Sequence, residues 1–208
     1  MTYFTTFTLT FSNLFNFIGL IFVFSNLNAV QFTVAHEIFH KPGWFNRMLG
    51  TLHMSKLLYM HFTYEHIYGH HRKVATPEDP ASASQGMTFY QFLPKTVLGS
   101  YKSVYNMQKE AGKPIFLNYS VLSIISAFAF TIGVLYIYGP QATVIFLIEA
   151  IFSIVYLEGI NYIEHYGLAR KKLDNGEYEK VTIRHSWNSP HRFSNYILYK
   201  LQRHSDHH

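Results

Sequence analysis

The sequence predicts an all-α protein: an integral-membrane helical bundle with interfacial helices and a di-metal histidine site on its cytoplasmic side. Three observations lead there. Long apolar segments carry no Lys or Arg, the basic residues are confined to the stretches between them, and most of the thirteen histidines fall in clusters spaced for metal binding.

The 208 residues suffice for one domain, 1–208, with a sizeable core. Charged residues make up 14%, against about 25% in ordinary soluble domains. With no cysteine, disulfides, iron–sulfur clusters, haem thiolates and thiol nucleophiles are excluded. Redox chemistry therefore needs a bound metal or a partner. All seventeen Lys and Arg lie between Lys41 and Lys113 or between Arg170 and Arg203. The positive-inside rule puts both blocks on the cytoplasmic side. Nucleic acid is not an expected partner, because the net charge of +5 is not interleaved over a solvated surface.

Taken in order, the first span is expected at about 14–35, the second at 115–138 and the third at 142–162, the last two forming a hairpin about Gly139-Pro140. The first span ends at Lys41 and the hairpin opens and closes at Lys113 and Arg170. His36, His40, His165 and every histidine of the basic blocks then share one membrane face. Met1 falls on the other face, which predicts that helices precede this chain. Between the spans, Trp44 to Tyr64 has helical spacing, with Arg47 and Lys56 available to the interface. Phe89 to Glu110 is amphipathic. Thr76 to Pro80 and the Gly86 region are loop signals, and Asp174-Asn175-Gly176 is a tight turn between strand-like runs.

Three histidine clusters carry the chemistry: His36 and His40 in HEIFH, His66, His70 and His71 in EHIYGHH, and His204, His207 and His208 in QRHSDHH. Helical residues four apart share a face, close enough for both to reach one ion. His36/His40, His66/His70 and His204/His208 have that spacing, with His71 and His207 one position off and free to reach a second ion. One ion takes about four ligands, so eight histidines imply two. His165, at the end of the third span, arrives at the same face. Glu158, about two turns deeper, marks a polar interior. His53, His61, His185 and His191 are expected to be interfacial anchors. Glu37, Glu65, Glu164 and Asp206 adjoin the candidate ligands and could orient imidazoles.

Ligand type alone does not choose the metal, since imidazole suits Zn, Cu, Fe and Ni. HEIFH also fits the HExxH of zinc proteases, so an intramembrane zinc metalloprotease is one alternative. A histidine-rich metal carrier is another. HEIFHK, EHIYGHH, NYIEHYGL and LQRHSDHH, in this order, resemble the signature motifs of the membrane alkane 1-monooxygenases. Fatty-acid desaturases and hydroxylases of the same histidine-rich class are similar, but have HxxHH where this chain has HxxxHH. The resemblance implies a six-helix fold, truncated here at both ends, and two non-haem iron ions. Its ligands would be His36, His40, His66, His70, His71, His165, His204, His207 and His208. It also implies an alkane or fatty acyl substrate with O2, a rubredoxin-type electron donor, surrounding membrane lipid, and a multi-pass enzyme active on the cytoplasmic side. Catalytic residues beyond the ligands are not implied.

Overall fold

The computed structural model describes residues 14–206, and the fold is all-helical. Helix α1 spans Leu14–His40. After Gly43, α2 spans Trp44–Lys56. Helix α3 is three consecutive pieces: an α-turn Phe62–Tyr64, a π-turn Glu65–His70 and an α-turn His71–Lys73. Helix α4 is Phe89–Glu110, opened by a capping box in which Thr88 and Gln91 satisfy each other's end groups. A short turn at Ile115–Leu117 precedes α5, Tyr119–His165, and α6 is Arg192–Ile197. The strand-like runs about Asn175 meet only in the isolated antiparallel bridge Lys172↔Tyr178, with Gly176 turning at φ 85°.

Among the described residues, two helices are long and apolar enough to cross a membrane, Phe15–His40 and Tyr119–His165. Large apolar side chains such as Phe22, Phe128, Ile132 and Phe152 point outward from them. That is the surface of a membrane protein, whose solvent on this face is lipid. The first span is longer than the hydropathy suggested, so HEIFH forms its last turn. Asn118 caps α5 by accepting from Ser120 N, which starts that helix after Ile115.

Helix α5 breaks at Gly139, whose φ of 81° and ψ of 177° no helix contains. The two arms fold back on each other, as three contacts establish. His61 N donates to Ser123 Oγ on the first arm, and Tyr59 OH donates to Glu158 on the second. The Tyr59 and His61 rings lie 4.5 Å apart. A straight helix would separate Ser123 from Glu158 by roughly 50 Å. The expected hairpin is therefore present. Helix α4 bridges its two arms: Thr96 donates to Glu158, while Gln108 accepts from Tyr119 N. That packs α4 across the hairpin.

Helix α2 behaves otherwise. A Cβ on Gly50 would come within 2.6 Å of Phe39 Cβ, so the missing side chain lets α2 lie directly on α1. Further along, Lys56 Nζ reaches Asn28 and Gln31 of α1. Asn28 lies about 18 Å along the helix from His40. The helix thus runs back down α1 instead of placing Lys56 at the interface, and α3 climbs again toward His40. Phe32, Phe39, Met54, Leu57, Tyr59, Phe62 and Leu157 form the apolar core where α1, α2, α3 and α5 meet.

Candidate metal centre

The histidines gather at one end of the bundle, in two groups. His36, His40 and His66 offer ligand atoms all within 4.8 Å of one another, and so do His70, His165 and His204. His207 and His208 lie outside the described residues. The first group sits where the last turn of α1 meets α3. His66 Nε2 is 2.6 Å from His36 Nε2 and 2.9 Å from His71 Nε2, and the His40 and His71 rings are 5.0 Å apart. His71 therefore belongs with this group.

The expected pairing of His66 with His70 is corrected by the π-turn. In an α-helix His66 and His71 would point about 140° apart. A turn closed five residues on brings them onto one side. His70 then goes to the other group, although its ring stays stacked on His66 at 5.3 Å. The missing side chain of Gly69 leaves room for the Glu65 carboxylate, which a Cβ there would overlap.

The second group is collected from distant segments. His70 Nδ1 lies 2.9 Å from Asp79 Oδ2, His165 Nδ1 donates to the His185 carbonyl at 3.3 Å, and His204 Nδ1 lies 3.3 Å from Glu164. Each Nδ1 thus faces an oxygen, which leaves Nε2 to the group's interior; His165 Nε2 is 3.1 Å from His204 Nε2. The segment carrying His185 and Trp187 lies over the end of α5, with Trp187 N donating to Glu164 O and Nε1 to Tyr166 O. Ser205 N donates to Asn188 Oδ1, which brings His204 into place.

The other expected site residues divide. Glu65 is buried, and burial pushes its carboxyl up to about 7. It faces Ser103 and Gly69, close enough to His70 for the two charges to act on each other. Glu37 is half-exposed, 3.9 Å from Lys41, and Asp206 is exposed. Glu37 thus faces a lysine and not an imidazole. Glu158 is fully hydrogen-bonded by Tyr59, Thr96 and Asn161, so it joins helices. His61 is no interfacial anchor: it is completely buried, stacked 3.5 Å from Tyr101 and bonded to Ser100. Nor is His185, which is buried and caps Thr182 N while its carbonyl holds His165. His191 is exposed.

Asp79 is the residue that sequence reasoning missed. Burial would raise its carboxyl, but the His70 charge outweighs that and holds it below the usual carboxylate range. Burial would likewise lower His70; Asp79 reverses the sign and raises it. The signal available was only a carboxylate nine residues from a clustered histidine, inside a loop motif.

This donor set suits metal ions. A neutral imidazole nitrogen is either one donor or one acceptor, yet His66 Nε2 faces two other Nε2 atoms at once. A shared cation resolves that convergence. Nitrogens bound at about 2.1 Å to one ion lie roughly 3 Å apart. Phe32, Phe39 and Phe62 pack on the rings of His36 and His66 and keep water from them.

Comparison with known proteins agrees. The family model for fatty acid desaturases matches residues 12–208. The chain is 42% identical to an alkane 1-monooxygenase of Acinetobacter baylyi, covering 88% of this chain and 46% of that protein. It is 38% identical to alkane 1-monooxygenase 1 of Alcanivorax borkumensis, covering 93% and 50%. A more distant relative is the xylene/toluene monooxygenase hydroxylase component of Pseudomonas putida, at 26% over 84% of this chain and 48% of that one. The chain spans about half the length of the curated relatives it matches.

Proposed function

We infer, from the premise that this chain belongs to the fatty acid desaturase family, that it forms the metal-binding part of an alkane 1-monooxygenase. Its substrate is a medium- or long-chain alkane, or a similar acyl chain, hydroxylated at the terminal methyl. The observation that carries the reading is the pair of mostly buried three-histidine groups at one end of an apolar bundle. His36, His40, His66 and His71 would hold one iron, and His70, His165 and His204 the other. His207 and His208 complete the set on the resemblance of their motif.

Two iron ions bound there supply the O2 activation that no side chain of this chain can provide. The balance is RCH3 + O2 + 2e− + 2H+ → RCH2OH + H2O, so a donor of two electrons is required, and a rubredoxin-type protein meeting the cytoplasmic face would provide them. The chain's own residues do the rest. Phe32, Phe39 and Phe62 exclude water from the rings of His36 and His66, while Glu164, 3.3 Å from the outward nitrogen of His204, would orient that ring. The bundle would cross the membrane more than once, with both histidine groups facing the cytoplasm.

The zinc-protease alternative needs Glu37 as general base aimed at the metal, but Glu37 turns outward to Lys41. A desaturase would use much the same histidines, and the family model carries that description. The test is turnover by the full-length protein in lipid, given octane, O2 and reduced rubredoxin. Octan-1-ol is expected. Desaturation of a supplied acyl chain with no alcohol formed would select the desaturase, and peptide cleavage the protease.

A further inference from the structure

The segment from Val74 to Ala83 is irregular, yet apart from Pro77 and Glu78 it is buried. Buried irregular chain must find partners for its backbone, and this one finds them around the second histidine group. Arg170 N donates to Ala75 O and Gly167 N to Ala83 O, so both ends of the loop are tied to the chain just beyond His165. Lys95 Nζ donates to Ser82 O, and Pro80 packs where a Cβ on Gly99 would lie 2.7 Å away. Ala75 holds a left-handed φ of 58°, a conformation that a residue with a Cβ keeps only when its surroundings enforce it.

At the centre of this loop Asp79 is 0% exposed. Its Oδ2 faces His70 Nδ1 at 2.9 Å and accepts from Ser82 Oγ at 2.6 Å, while Oδ1 accepts from Ala81 N at 3.0 Å. The loop therefore aims the carboxylate and the carboxylate aims the imidazole. We propose that Asp79 is the positioning residue of the second metal subsite: it fixes the proton of His70 on Nδ1 and so presents Nε2 to the ion. Through its ties to residues 167 and 170 the loop also sets where His70 stands relative to His165. The proposal rests on the metal-binding reading above. A carboxylate fixed in this way orients the ring and makes its other nitrogen a better donor.

The experiment compares full-length wild type with Asp79→Asn, Asp79→Glu and Ser82→Ala, each loaded with iron and challenged with a chelator. Asp79→Asn should release one of two irons ~10–100-fold more readily, the usual loss when a ligand's orienting partner is removed. Asp79→Glu should recover part of that retention. Ser82→Ala, which removes one of the two bonds that aim the carboxylate but keeps its contact with His70, should lose iron clearly less readily than Asp79→Asn does. Iron retention and Mössbauer spectrum unchanged in Asp79→Asn would overturn the proposal. So would equal loss from Asp79→Asn and Ser82→Ala, since loop integrity alone would then matter. The wild type gives a reading that does not depend on any variant folding. With zinc bound and histidine labelled with 15N, His70 should keep its proton on Nδ1, and coordination through Nδ1 would overturn the proposal. A wild type that binds no metal would instead sink the metal-binding reading itself.

Discussion

The two histidine groups reach similar chemistry by different construction. The first is almost local: His36 and His40 share the last turn of α1, and His66 lies in the π-turn that meets it, with His71 just past that turn's end. The second takes one residue from each of three distant segments, and its Nδ1 atoms face Asp79, the His185 carbonyl and Glu164. Helical spacing is enough to build the first. The second exists only because the 74–83 loop and the 183–189 segment are hydrogen-bonded over the end of α5. A group assembled from afar should be sensitive to residues that never touch the metal.

The largest effect expected is from the residues that close the second group. His165→Ala should lower iron content by about one ion per chain and abolish octane hydroxylation, because a lost ligand should cost at least the ~10–100-fold seen for loss of its partner. Iron content and turnover both near wild type would show that His165 only anchors the helix end. Next comes Glu164→Gln. It should weaken iron retention by roughly 10-fold, at the low end of that range, as measured by chelator competition; no change would mean that the 3.3 Å approach to His204 does not hold the ring.

Gly69→Ala probes the first group through its backbone. The new Cβ would collide with the Glu65 carboxylate, so that buried side chain must move, at a cost of about 1–3 kcal/mol, read as a lower thermal midpoint. An unperturbed variant would show that stability does not depend on that close approach. The smallest effect should come from Glu37→Gln, which removes only an exposed i,i+4 pair with Lys41 at 3.9 Å, worth about 0.3–0.5 kcal/mol. Loss of activity in that variant would revive Glu37 as a general base.

The same contrast separates what the sequence disclosed from what it hid. Apolar runs located the two long apolar helices and the turn at Gly139, and the confinement of Lys and Arg pointed to one common end for the histidines, because each is a matter of composition over about twenty residues at a time. Phe89 to Glu110 was legible from end to end. The π-turn was not: one extra residue in a turn leaves no periodic trace, and it moves His70 from one group to the other. The fold-back of α2 depends on one close approach, Gly50 against Phe39, that hydropathy does not register. Asp79 sits in a motif whose composition signals a turn, and composition cannot say that the turn is buried against His70. His61 is hidden for the same reason, since its packing on Tyr101 and Tyr59 and its bond to Ser100 bury it.

The central claim is that the two groups together hold a pair of ions, and the metal content of the purified full-length protein tests it most directly. About two irons per chain, with nitrogen-rich ligation in X-ray absorption, is the expected result. A single zinc per chain, with the second histidine group left without metal, would contradict it.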